Sequence, residues 1–126
     1  MNIGRNWRVV ENKRDNELEL EWGKLLNQVE KMIGKRPSDL NAMLFLIGVQ
    51  ELGNGFRNFS KEEKQDLMHI AVCKVLSYSG YYELEGIDNE GWPHWKLAQA
   101  LPQFDLIEQE KLLKLHVIEY FKNEFS

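Results

Sequence analysis

From Ala42 to Ile47 every residue is apolar, inside a stretch, Asp39 to Gly53, that reads DLNAMLFLIGVQELG. No rotation of a helix keeps such a run out of water, and a helix that is apolar all round is normally a buried one. The run is far shorter than the roughly 20 residues that cross a bilayer, so it predicts a core helix and no membrane span. Burying each Leu, Ile, Phe or Met contributes about 1.5–3 kcal/mol, and the rest of the chain is expected to arrange itself around this element.

Three further helices are predicted. Leu18, Trp22, Leu25, Leu26, Val29, Met32 and Ile33 recur at helical spacing from Glu17 onward, opposite Glu19, Asn27, Glu30 and Lys31. Asn16 is placed as the cap of this first helix and Gly34 as its end. Lys35-Arg36-Pro37 connects it to the core helix, which Ser38 is expected to cap. Ser60 and Glu63 make a capping box for a third helix reaching about Ser79, with Leu67, Met68, Ala71, Val72, Val75, Leu76 and Tyr78 as its stripe. Asp105 and Glu108 open a last helix reaching about Asn123, with Leu106, Ile107, Leu113, Val117, Ile118, Tyr120 and Phe121 facing inward.

Two segments lack a helical period. Residues 1–14 are read as an N-terminal arm, extended or disordered, with Trp7, Val9 and Val10 able to pack on the body. Residues 80–102 form an insert rich in aromatic and acidic side chains, with turn chemistry at Asp88-Asn89-Glu90-Gly91. A hairpin is one reading. A short helix from Pro93 to Ala100 is preferred, because Lys96 to Leu101 are good helix formers. The expected fold is therefore all-α: one domain over residues 1–126, a compact bundle or array of four main helices with a short irregular or hairpin insert before the last.

Composition bounds the function. The net charge of −4 argues against a nucleic-acid partner, although residues 1–14 alone carry +3 through Arg5, Arg8, Lys13 and Arg14 against Glu11. A single cysteine, Cys73, excludes a disulfide within the chain. With no apolar leader in Met1 to Val10, a cytoplasmic location is expected.

Candidate chemistry is sparse. His69 and Cys73, four residues apart on one helix, share a face, yet zinc needs two more ligands and none has the spacing. No metal and no cofactor is expected. Cys73 sits mid-helix, where nothing depresses a thiol pKa, so it is not read as a nucleophile. Glu83, Glu85, Asp88 and Glu90 lack the order of a calcium loop and read as a solvated acidic turn. Tyr81, Tyr82, Trp92 and Trp95, with Glu83 and His94, are the residues best suited to hold a ligand or partner, since rings with a polar handle are enriched at binding surfaces. Glu51, at the end of the apolar helix, is a possible pocket carboxylate. Leu112 and Leu115 fall opposite the inner stripe of the last helix and are a possible homodimer face, unless the arm covers them.

No motif specifies a reaction, and no stretch resembles a known family. The favoured expectation is a small non-catalytic interaction or regulatory protein whose partner is another protein or a second copy of itself. The alternative is a small-molecule-binding protein or enzyme with a pocket between the insert and the bundle, bordered by Tyr82, Glu83, His94 and Glu51.

Overall fold

The chain folds, in a computed structural model that describes residues 3–125 (side chains from residue 14 onward), as four helices with a two-stranded antiparallel sheet before the last. It divides into two compact units, Met1–Pro37 and Ser38–Ser126.

The first unit is helix α1, Ile3–Ile33, with its connector. Its predicted face is realised in the middle, where Leu18, Trp22, Leu25 and Val29 are buried, whereas Met32 and Ile33 at the end are exposed. The arm expected over residues 1–14 is, from Ile3, the opening of this helix, and Asn16 lies inside it rather than capping it. Apolar periodicity reports a buried face and not helicity. Arg, Glu and Lys are good helix formers that extend a helix without leaving that signal. Gly34 ends α1 as expected, its N–H donating to the Glu30 carbonyl at 2.8 Å. Arg36 turns back onto α1, donating to Asn27 and lying 3.6 Å from Glu30.

The second unit begins with the apolar helix α2, Leu40–Leu52. Asp39, one residue beyond the expected Ser38, is its cap: the carboxylate accepts from the Ala42 amide at 2.8 Å. Met43, Leu44, Ile47, Gly48, Val49 and Leu52 are buried. Helix α3, Lys61–Ser77, opens on the predicted capping box, with Ser60 and Glu63 bonded reciprocally at 2.9 and 3.1 Å.

The hub of this unit is α3 and not the apolar α2. Helix α3 packs against α2, against helix α4 (Leu106–Phe125) and against both strands of the hairpin. It is accordingly buried beyond the predicted stripe, at Ile70 and Cys73 as well as Leu67, Ala71, Val75 and Leu76. The backbones of α2 and α3 meet at Gly48, where a Cβ would lie 2.2 Å from the Leu67 carbonyl oxygen. A core cluster of Val49, Leu52, Phe59 and Leu67 has Phe45 and Trp92 packed on it. Helix α4 buries Val117, Ile118, Tyr120 and Phe121. Its first turn departs from the predicted inner face: Leu106 and Ile107 are 81% and 66% exposed.

Strands β1, Tyr82–Ile87, and β2, Pro93–Leu97, replace the short helix preferred for residues 93–100. The reason is the turn between them. Asp88 accepts through Oδ1 from the amides of Glu90 and Trp92, both at 2.9 Å, and its own amide donates to the Trp92 carbonyl at 2.9 Å. Gly91 closes that loop at φ +89°, a conformation that costs other residues strain. Tyr82 then faces Leu97 and Leu84 faces Trp95, with an irregularity at Glu85 before Gly86 meets His94. Pro93, which has no N–H to donate, sits at the first position of its strand, where this is tolerated. No helix among the described residues is long and apolar enough to cross a membrane.

Candidate functional site

Between the first half of α3 and the hairpin lies an open groove of about 500 Å³, lined by Glu63, Asp66, His69 and Ile70 from the helix and by Asp88, Glu90, Trp92, Pro93, His94 and Trp95 from the turn and β2. Pro93 and Trp95 share one face of the strand, two residues apart, and are half-buried while His94 between them is exposed. Trp92 is anchored from beneath by the Phe59 cluster. Both tryptophans are half-buried, so each presents part of a rigid ring to the groove.

The groove is acidic. Four carboxylates line it, and no Lys or Arg does among the described residues. Two of the four are locked in the charged form. The Ser60 amide and the Arg57 guanidinium, 2.9 Å away, hold Glu63 below the usual carboxylate range. The His94 imidazole, 2.9 Å from Asp88 Oδ2, and the amides of the turn hold Asp88 low as well. Among the described residues no three His, Cys, Asp or Glu side chains converge closely enough to hold one metal ion. The indole Nε1 of Trp95 is buried with no acceptor, a cost of roughly 1–3 kcal/mol that ordinary surface does not carry.

Of the residues singled out from the sequence, the structure brings Trp92, His94 and Trp95 together here. Tyr81 and Tyr82 are half-buried at the start of β1; burial raises the Tyr82 pKa and Cys73 lies near it. Glu83 is exposed, 3.8 Å from Lys96 across the strands. Glu51 belongs to a different assembly that fastens the three helices. Tyr120 donates to it at 3.0 Å, and Lys74 lies 3.9 Å from it and 3.7 Å from Glu124. Glu51, Tyr82 and Glu83 do not line the groove that holds His94. Leu112 is half-buried and Leu115 is 52% exposed; Trp7 and Val9, the residues considered as their cover, lie outside the described side chains. Cys73 is buried 3.5 Å from His69 Nε2, and burial pushes its pKa up to about 11, which favours the thiol form.

The α3 wall was missed. Its signal is the spacing Glu63, Asp66, His69, Ile70, which sets polar and acidic groups on one side of the helix just below a hydrophobic stripe. Comparison with protein-family models, characterised proteins and solved structures finds no match for this chain.

Proposed function

We propose that the protein is a small binding module whose groove between α3 and the hairpin takes a positively charged segment of a protein partner. The observation that carries this reading is the conjunction of two half-buried tryptophans with four carboxylates and no lining Lys or Arg among the described residues, Glu63 and Asp88 being paired with Arg57 and His94 and Asp66 and Glu90 left for the partner. An Arg or Lys side chain laid on an indole face gains about 0.5–2 kcal/mol, depending on how far it is desolvated. The surrounding carboxylates add attraction that salt screens. Arg stacks and forks better than Lys, so an arginine-containing segment is the better fit. The hairpin has the build of a recognition element: its ends are pinned by Asp88 and by the strand pairing, while Glu90 and His94 stay exposed.

The site is small, which places the interaction in the weak, transient class. The test is a tryptophan-fluorescence titration with a short arginine-rich peptide, set against an acidic peptide of equal length. The reading predicts saturable binding of the basic peptide only, weakened several-fold at about 0.5 M salt. It also predicts loss of binding in Trp92→Ala, and in the double change Asp66→Asn, Glu90→Gln. Equal response to both peptides, or none to either, contradicts it.

A further inference from the structure

The opposite end of α3 holds a second cavity, of about 440 Å³, bordered by Tyr78, Ser79, Leu115, His116 and Glu119. Ser79 follows the last turn of α3, where its own amide and that of Tyr81 bond the Leu76 carbonyl and Gly80 turns the chain at φ +82°. His116 on α4 stands beside it, with Nε2 2.7 Å from Ser79 Oγ. Its other nitrogen, Nδ1, is 2.7 Å from the Leu112 carbonyl oxygen. A carbonyl only accepts, so Nδ1 carries the ring proton. In the neutral imidazole Nε2 is then the bare acceptor, and the Ser79 hydroxyl donates to it. A hydroxyl bonded to a base, with the base oriented from behind, is the arrangement of an activated nucleophile.

We infer that Ser79 is a nucleophile towards small activated carboxylic esters, with His116 as its base. Ser79 Oγ attacks the ester carbonyl carbon while its proton passes to His116 Nε2. The C–O bond to the leaving group then breaks, and that oxygen takes the proton from Nε2. This leaves the alcohol or phenol and an acyl-Ser79; water then attacks the acyl carbon as His116 Nε2 takes its proton, the acyl C–Oγ bond breaks, and Nε2 returns the proton to Ser79 Oγ as the carboxylic acid leaves. The amides of Ser79, Gly80 and Tyr81 are all committed to the end of α3 and are not turned towards an oxyanion. Such a donor is typically worth about 10²–10³ in rate, so the chemistry is slow and confined to good leaving groups. This site is independent of the groove.

The test exposes the whole protein to p-nitrophenyl acetate and, separately, to a fluorophosphonate, whose P–F bond yields to Ser79 with loss of fluoride. Peptide mapping by mass spectrometry locates the adducts. The inference predicts one dominant adduct on Ser79, absent in Ser79→Ala and formed about a hundredfold more slowly in His116→Gln. The urea-unfolded wild-type chain supplies the rate of an unactivated serine, which covers the case in which His116→Gln fails to fold. Native Ser79 reacting no faster than in that unfolded chain overturns the inference, as do adducts on lysines alone. Equal rates in folded His116→Gln and wild type overturn it too.

Discussion

Adding one methyl group at Gly48 is expected to do more damage than its size suggests. Gly48 is buried in the middle of α2, and an ideal Cβ there would sit 2.2 Å from the Leu67 carbonyl oxygen, 2.7 Å from its carbon and 2.9 Å from its Cβ. Two of those three atoms are backbone, so no rotamer change relieves the clash. The helices must part by roughly 1 Å, which forfeits up to about half of the dispersion attraction between the atoms that now touch. Overpacking typically costs about 1–3 kcal/mol, and a backbone contact belongs at the upper end of that range. Against it stands the better helix propensity of Ala, worth about 1 kcal/mol. Gly48→Ala should therefore lose about 2 kcal/mol net. With a urea slope of about 1–3 kcal/mol per molar, the midpoint followed by circular dichroism should drop by about 1 M. Gly23→Ala is the control. Gly23 is also mid-helix, but nothing lies within 4 Å of its Cβ position, so only the propensity gain applies. A Gly48→Ala midpoint equal to or above wild type would refute the close approach of α2 and α3.

Two other outcomes follow from the same packing and from the turn. Ile47→Ala, at a position 1% exposed, should cost about 2–5 kcal/mol in urea unfolding, and an unchanged midpoint would mean α2 is not a core helix. Asp88 has its folded pKa lowered by His94 and by the amides of Trp92 and Glu90, so its stabilisation of the hairpin is complete above the ordinary carboxylate range and disappears as pH falls through the lowered folded value. The hairpin amide signals in NMR should therefore collapse on acidification in wild type and lose that dependence in Asp88→Asn; identical titrations would remove the turn's role.

The elements whose ends are set by local chemistry were legible in the sequence. Ser60 with Glu63 and Asp105 with Glu108 mark helix starts through bonds three residues long, and both are made, the second at 2.8 Å. What was not legible depends on partners distant in sequence. Lys96 to Leu101 have good helix propensity, and the Asp88 turn with pairing to Tyr82–Ile87 makes Pro93–Leu97 a strand instead. Helix α3 looks less apolar than α2, yet it is the hub, because the hairpin takes up its Ile70 and Cys73 side. The groove was half legible. Trp92, His94 and Trp95 announce themselves by type, whereas in the sequence Glu63 reads as a capping-box residue and His69 as the neighbour of Cys73, and only the folded hairpin sets them on one groove. Glu51 misled for the reverse reason: its partners Tyr120 and Lys74 come from two other helices.

The most direct measurement is an amide and indole NMR titration of the labelled protein with the arginine-rich peptide. If the groove is the binding site, the perturbed signals are the backbone amides of residues 63–70 and 88–95 and the indole N–H groups of Trp92 and Trp95, and Trp92→Ala abolishes them. Perturbations confined to the exposed turn at Leu106 and Ile107 or to the Ser79–His116 end of α3, with residues 63–70 and 88–95 unmoved, would contradict the account.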